Sequence, residues 1–239
     1  MQDQSQEPSI PQKPKLKWLP LEGNPDVWNK IAHKHGMDPN WSYTDIYGFD
    51  PELLDFVPRP LAAVIFLYPI TEKSEEFRHE EEARVTKREQ DISPQVMFFK
   101  QTISNACGMM ALIHSLANNK ELLGPGLFQD LINKADGMTP EERAELLEGC
   151  EQLANVHETG AQEGQTKPPS LEEEVSLHFV CFVEVDSHLY ELDGRKSFPI
   201  NHGKCTDLME CSAKVMRKMM ERDPGHQNYS AMALTKTPE

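Results

Sequence analysis

The chain has 239 residues, 38% of them hydrophobic and 26% charged, which is enough for one large core, and we expect a single domain at residues 15–239. Its formal net charge of −15 argues against nucleic acid and anionic membrane surfaces as partners, since both attract basic patches. The five cysteines include no CxxC pair, so the sequence predicts free thiols in a reducing compartment rather than a disulfide scaffold.

The first part of the chain predicts an unstructured arm followed by helices and one buried strand. Residues 1–14 are polar and contain proline, unlike a secretory signal, and we expect them to be disordered. Helices are expected to begin at Asn24 and at Asp50, because each is followed by a proline that suits the first helical turn. The hydrophobic run at 61–70 is too short to span a bilayer and predicts a buried strand at 61–68. We therefore expect a soluble protein.

The rest of the chain predicts helices on both sides of a mostly antiparallel sheet, which is the α/β fold class. Thr71 is the expected cap of a long, glutamate-rich helix. The further predicted elements are a strand at 96–99, helices at 106–117, 127–134 and 140–155, a hairpin at 177–192, a strand near 198–200, a helix after Thr206 and a strand at 231–234.

The segment QTISNACGMMALIHSLANN, which begins at Gln101, places one cysteine at the start of an amphipathic helix. Asn105 is the expected N-cap, which puts Cys107 in the first turn, where free N–H groups and the helix dipole favour a thiolate. Gln101 lies six residues upstream and offers an amide that can donate to an oxyanion. A structural role for the cysteine is the alternative, because a lone cysteine on a helix is usually a core residue.

The hairpin at 177–192 supplies a base for this nucleophile. A two-residue turn at 186–187 sets a register in which Asp193 is the diagonal neighbour of His178 on the same face. Diagonal neighbours lie about 7 to 8 Å apart, which is close enough for an aspartate to bond an imidazole N–H. Such an aspartate fixes the tautomer and favours the imidazolium, which in turn stabilises a thiolate.

Other histidines are weaker candidates for the base. His114 lies two helical turns, about 10 Å, beyond Cys107, which is too far for proton exchange, so we expect it in the core or supporting the site. The remaining histidines lie in polar or loop-like contexts: His33, His35, His79, His157, His188, His202 and His226. The spacing of His202, Cys205 and Cys211 matches no zinc pattern, and neither a metal nor a cofactor is expected.

These two segments, QTISNACG from Gln101 and LHFVCFVEVDSHLYELDGRKSFPINHG from Leu177, closely resemble the ubiquitin C-terminal hydrolases, and of these the small single-domain cytosolic type. Shorter segments agree with the same family: KWLPLEGNP, DPELLDFVPRP, FLYPITEK, TPEERAELLE, HETGAQEGQT and MERDP. The resemblance implies that Cys107, His178 and Asp193 are catalytic and that Gln101 stabilises the oxyanion. It also implies a papain-like α/β/α sandwich with a knotted backbone, which the residues alone do not predict.

Two positions depart from the family pattern. Ser187 stands where the hairpin turn usually carries glycine, so a type I′ turn costs about 1 kcal/mol, or a different turn forms. Met109 replaces a common threonine two residues after the nucleophile. Neither change removes a chemical group from the implied mechanism.

The activity implied by the resemblance is a deubiquitinating thiol protease that releases small adducts from the C-terminal glycine of ubiquitin. Its implied substrate-binding residues are Pro20, Glu22, Asp26 and Asp45, since acidic side chains suit a basic partner. Residues 156–171 contain two glycines and two prolines and are expected to form a loop that crosses the active site. The expected partner is ubiquitin, with a close ubiquitin-like modifier as a second substrate, and we expect a monomer in the cytoplasm, with the nucleus as a further location.

Two other functions stay open. A ubiquitin-binding module without catalytic activity would keep the same fold, although the retention of all four chemical groups argues against it. A general papain-like protease is the third interpretation, and the resemblance of the crossover segment argues against that one.

Overall fold

The structure is a computed structural model that describes residues 16–166, 169–170, 173 and 175–237, so the predicted arm at 1–14 lies outside the described residues. The helices are α1 (Pro25–Lys34), α2 (Pro51–Leu54), α3 (Glu72–Arg88), α4 (Cys107–Ala117), α5 (Leu127–Lys134), α6 (Pro140–Glu148), α7 (Glu151–Gln162) and α8 (Leu208–Arg222), with a 3-10 turn at Lys120–Leu122. The strands are β1 (Trp41–Asp45), β2 (Leu61–Pro69), β3 (Leu177–Val185), β4 (His188–Leu192), β5 (Ile200–Lys204) and β6 (Ser230–Lys236).

Within the described residues the strands form one six-stranded sheet in the order β1-β6-β2-β3-β4-β5, and every neighbouring pair is antiparallel. Successive residues of β3 point to opposite faces. Cys181 packs into a core shared with α1, α4 and α5, whereas Phe182 packs into a core shared with α8. Helices therefore cover both faces of the sheet, which confirms the predicted α/β sandwich.

The helices predicted to begin at Asn24, Asp50 and Thr71 are present, and Asn24 and Thr71 each cap their own helix through the side chain. Asn24 Oδ1 accepts from Asp26 N at 3.0 Å at the start of α1. Thr71 and Ser74 form a reciprocal capping box at the start of α3.

None of the helices in the described ranges combines the length and the apolar character that a bilayer crossing needs.

The β3–β4 hairpin has the predicted register, with Val185 opposite His188. Its two turn residues, Asp186 and Ser187, have φ values of 49° and 60°. Both lie in the left-handed region that a type I′ turn requires. The departure at Ser187 therefore leaves the turn in place, at a conformational cost of about 1 kcal/mol relative to glycine.

The predicted strand at 96–99 is wrong. Residues 97–99 are buried and Val96 is half-buried, but they make no strand, because side chains at the end of α4 take the place of a neighbouring strand. Met97 N donates to Asn118 Oδ1 at 2.8 Å, and Phe99 N donates to His114 Nε2 at 3.0 Å. The backbone N–H groups of Met97 and Phe99 thus bond to side chains at the end of α4 rather than to a strand.

The helix predicted at 140–155 is two helices. Helix α6 ends at Glu148, with Gly149 as its C-cap, and α7 begins at Glu151. Helix α7 then continues to Gln162, so the first part of the predicted crossover loop, 156–162, is helical. Its buried side includes His157, Gly160 and Ala161. The buried side of this part of α7 consists of small and polar residues, so the sequence shows no helical pattern of large apolar residues here.

Strand β1 was not predicted from the sequence. It is short, and only its central residue, Tyr43, is fully buried. Asn29 holds it in place, since Tyr43 N donates to Asn29 Oδ1 at 2.6 Å and Asn29 Nδ2 donates to Tyr43 O at 2.9 Å. The strand predicted near 198–200 is present as β5, but it begins at Ile200 and runs to Lys204.

Candidate active site

The proposed nucleophile is the first residue of α4, as predicted, but its N-cap is not Asn105. The cap residue is Ala106, and Asn105 adopts a positive φ of 62°. Asparagine tolerates this conformation, and Asn105 Nδ2 donates to Trp18 O at 3.1 Å instead of capping the helix. Cys107 is almost fully buried within the first turn, and Met109 is buried behind it in the core.

The predicted pairing of His178 with Asp193 is present. His178 Nε2 lies 2.6 Å from Asp193 Oδ1, and both side chains are buried. Because Nε2 serves the aspartate, Nδ1 is the ring nitrogen left to face the thiol, and His178 lies close enough to Cys107 to lower the pKa of that thiol. The hairpin register and the helix start thus bring the three side chains into one chain of contacts.

The charges of the three side chains favour an ion pair between the Cys107 thiol and the His178 imidazole. Burial alone raises the pKa of the Cys107 thiol, but the hydrogen bond and the charge of His178 outweigh burial, and the pKa is lowered. Burial lowers the pKa of His178, yet the charge and hydrogen bond of Asp193 raise it to about 9. The arrangement therefore favours a Cys107 thiolate beside a His178 imidazolium.

Cys107 is expected to remain reactive at a pH where ordinary thiols are protonated. Since its pKa is lowered, alkylation of Cys107 by iodoacetamide should begin to slow at a lower pH than alkylation of a small thiol does. His178→Asn should raise the pKa of Cys107, because the largest of the effects that oppose burial is then removed. The rate of mass-detected modification at Cys107 measures this, and a profile that follows the small thiol would contradict the ion pair.

Asp193 is held by more than the histidine. Oδ1 also accepts from Arg195 N at 2.9 Å, and Oδ2 accepts from Tyr68 Oη at 3.3 Å. Burial raises the pKa of Asp193, but His178 and the charge of Lys196 outweigh this and hold the pKa well below its ordinary value. The aspartate is therefore ionised at neutral pH.

A buried group of charges, the Lys196 cluster, lies behind Asp193 and consists of Lys196, Glu81 and Glu191. Lys196 Nζ lies 2.6 Å from Glu81 Oε2 and 2.5 Å from Glu191 Oε1. His202 Nε2 lies 2.9 Å from the second oxygen of Glu191. Sequence analysis missed this cluster, since Glu81 belongs to a helix that is charged all along its length.

Gln101 lies beside the segment that carries the aspartate. Gln101 N donates to Gly194 O at 2.8 Å, and its side-chain Nε2 donates to Ile103 O at 3.1 Å. A Cβ atom at position 194 would lie 2.8 Å from Gln101 Cβ, so only glycine permits this approach. Gly194 was also missed from sequence, although its place directly after Asp193 was a signal.

Three of the four predicted substrate-binding residues meet at one place. Glu22, Asp26 and Asp45 line a surface cavity together with Gln165, whereas Pro20 is not part of its lining. Burial and the charge of Asp26 raise the pKa of Asp45. The two carboxylate oxygens of Glu22 accept from Gln165 N at 2.7 Å and from Thr166 Oγ1 at 3.0 Å. Glu22 thus holds residues 165–166, just after α7, in place.

The competing thiols and histidines have other roles. All five cysteines are free, and burial raises the pKa of Cys181 well above its ordinary value, so this thiol stays protonated. Burial lowers the pKa of His114 to about 4, and this side chain lies in the core, as predicted. His157 was expected in a polar or loop-like context but is buried, with Nε2 2.6 Å from Leu19 O, and burial lowers its pKa to about 4.

Papain-like cysteine hydrolases divide their chemistry in this way, with a thiolate at a helix N-terminus and a carboxylate-oriented histidine on the facing sheet. The fold and the site define the chain as a member of that class. The family model described as ubiquitin carboxyl-terminal hydrolase, family 1, matches residues 18–221, and the chain belongs to this family. It is therefore a cysteine-type ubiquitin hydrolase by family.

Individual relatives agree with this assignment over nearly the whole chain. A ubiquitin carboxyl-terminal hydrolase of Drosophila melanogaster is 43% identical over 223 residues, covering 92% of this chain and 98% of the relative. The human ubiquitin carboxyl-terminal hydrolase isozyme L1 is 39% identical, covering 91% and 97%. Among solved structures, the Trichinella spiralis UCH37 catalytic domain bound to ubiquitin vinyl methyl ester superposes with a TM-score of 0.71 at 22% identity, covering 92% of this chain and 96% of that domain.

Proposed function

We propose that the protein cleaves small adducts from the C-terminal glycine of ubiquitin by acyl transfer through Cys107. The observation that carries the proposal is the preformed contact chain of Cys107, His178 and Asp193, with the pKa of the thiol lowered and that of the imidazole raised. Relatives that cover almost the same length are named hydrolases of the ubiquitin carboxyl terminus, which supports ubiquitin as the acyl donor.

The first half of the reaction forms a thioester. The Cys107 thiolate attacks the carbonyl carbon of the terminal glycine, and the carbonyl oxygen takes up the negative charge. The Cys107 backbone N–H and a Gln101 side-chain N–H donate to this oxyanion; the Ile103 contact uses one of the two amide donors of Gln101 and leaves the second. As the bond to the leaving group breaks, the His178 imidazolium gives its proton to the departing amine or thiol.

The second half releases ubiquitin. The neutral His178 imidazole takes a proton from water, whose oxygen attacks the thioester carbonyl, and the carbon–sulfur bond breaks to regenerate the thiolate. Asp193 orients the ring and balances the charge of the imidazolium in both halves. No step calls for a metal ion or a cofactor.

The size of the leaving group is limited by the crossover segment. Helix α7 leads directly into residues 163–166, and Glu22 binds this stretch at Gln165 and Thr166. A segment that crosses the active site admits a flexible chain end but excludes a large folded leaving group. Short peptides, amines, esters and thioesters are therefore the proposed substrates, and polyubiquitin is a poor one.

The acidic cavity lined by Glu22, Asp26 and Asp45 is the proposed docking place for the basic tail of ubiquitin, whereas Pro20, which does not line it, stays a prediction. Its charge complements a basic partner and speeds association at low ionic strength. Free thiols suit a reducing compartment, so the cytoplasm and the nucleus are the proposed locations.

Turnover of ubiquitin that carries a fluorogenic C-terminal amide tests the proposal. Wild-type protein should cleave this substrate and leave a short unrelated peptide amide intact, and Cys107→Ala should remove the activity, about 10⁴-fold or more, because no other nucleophile is in place. Cys107→Ala should still bind ubiquitin. Binding by wild type without turnover would instead indicate the ubiquitin-binding module, and cleavage of the peptide would indicate a general protease.

A further inference from the structure

One tyrosine contacts both members of the acid–base pair. Tyr68 lies on β2 directly opposite His178 on β3. Its ring meets the imidazole edge to face, with the centroids 5.7 Å apart and the planes at 87°. Its hydroxyl donates to Asp193 Oδ2 at 3.3 Å. A single buried side chain thus fixes the position of the histidine ring and of the carboxylate behind it.

The hydrogen bonds of the carboxylate show why the hydroxyl matters. Asp193 is fully buried, and its Oδ1 already accepts from His178 Nε2 and from Arg195 N. For Oδ2, the described part of the chain supplies Tyr68 Oη as the partner. A buried carboxylate oxygen without a donor is costly, and a donor at Oδ2 adds a third restraint on the orientation of the carboxylate plane.

We propose that Tyr68 is a positioning residue of the centre described under Proposed function, on which this inference rests: its hydroxyl adds to the hydrogen bonds that hold the Asp193 carboxylate in place and offsets part of the charge that Asp193 places on His178. Tyr68 touches neither the thiol nor the substrate in this role. It acts through Asp193, and through the histidine that Asp193 orients.

The hydroxyl is a donor over the whole working range. Burial and the charge of Asp193 raise the pKa of Tyr68 well above its ordinary value, so the phenol keeps its proton. Several elements contribute other titratable and charged groups around the pair: Glu75 and Arg78 of α3, Cys107 and His114 of α4, Glu191 of β4, and Arg195 and Lys196 after β4. Removing only the hydroxyl of Tyr68 leaves all of these in place.

The direction of the effect follows from the orientation of the O–H bond. Its positive end points at the carboxylate and partly neutralises it, so the imidazolium feels less than the full charge of Asp193. Without the hydroxyl, the carboxylate holds the His178 proton more tightly, and the pKa of His178 rises. A more tightly held proton passes to the leaving group less readily, and the carboxylate is no longer fixed at both oxygens, so kcat falls.

Tyr68→Phe keeps the ring and its packing and removes only the donor. Tyr43→Phe is the matched control, since Tyr43 is also buried and its hydroxyl bonds to Ser115 at 2.7 Å instead of to Asp193. The titration of the His178 ring, followed by NMR in the free protein, should move upward by about half a pH unit in Tyr68→Phe. With the ubiquitin amide, kcat should fall about three- to tenfold, with KM within about twofold of wild type. Tyr43→Phe should leave both measurements unchanged.

The two measurements separate the failure of this inference from the failure of the proposed function. A His178 titration in Tyr68→Phe that stays at, or moves below, that of wild type overturns the positioning role, whatever the turnover. If wild type does not cleave the ubiquitin amide while the titration still rises in Tyr68→Phe and not in Tyr43→Phe, the role of Tyr68 stands and the proposed function fails.

Discussion

Asp193→Asn is expected to lower kcat about 10³- to 10⁴-fold while the protein stays folded. The charge and hydrogen bond of Asp193 are what raise the pKa of His178 against burial. An amide in place of the carboxylate removes that charge, so the pKa of His178 falls and the imidazolium is lost near neutral pH. Without the imidazolium beside it, Cys107 becomes protonated as well. One substitution therefore removes both the acid and the nucleophile.

The measurement is the steady-state kcat and KM with the ubiquitin amide, together with a circular dichroism spectrum to verify the fold. Asp207→Asn is the control, because Asp207 caps α8 through Glu210 N and asparagine caps a helix equally well. Its activity should equal that of wild type. Activity of Asp193→Asn within tenfold of the control would show that His178 does not need the carboxylate.

Lys196→Met is expected to destabilise the protein by about 3–5 kcal/mol, because it leaves two buried carboxylates without their shared cation. Glu81 and Glu191, both almost fully buried, would then lie close together without the cation that now bonds to both. For a chain of this length, the loss corresponds to a fall in Tm of roughly 10 °C. Thermal or urea unfolding measures it.

Lys214→Met serves as the control, since Lys214 is exposed on α8. It should change Tm by about 1 °C or less. Adding Glu191→Gln to Lys196→Met should recover part of the lost stability, because one of the unpaired charges is removed. If Lys196→Met unfolds at the same temperature as Lys214→Met, the cluster does not hold its charges buried in solution.

The central part of the site was predictable because it is local in sequence. The start of a helix places Cys107, and a two-residue turn fixes which residues of β3 and β4 face each other. His178 and Asp193 are only 15 positions apart, so the register of one hairpin decides their contact. The hairpin turn also determines which face of the strand they share.

The supporting residues were not predictable in the same way. Tyr68 and Glu81 come from β2 and α3, more than 100 residues before Asp193 in the chain. Their contacts depend on the order of strands in the sheet, and neither periodicity nor turn chemistry determines that order. The wrong strand at 96–99 has a related cause, because an apolar run shows that a segment is buried without showing what its backbone bonds to.

Strand β6 follows every other element of the described chain, yet it lies inside the sheet, between β1 and β2. During synthesis, β1 therefore has no neighbour in the sheet until β6 has been made. Until then the edge of β2 is open, and an open edge can pair with another chain. The strands β2, β3, β4 and β5 have their mutual neighbours before β6 is made, but the six-stranded sheet is complete only after residue 236 has left the ribosome.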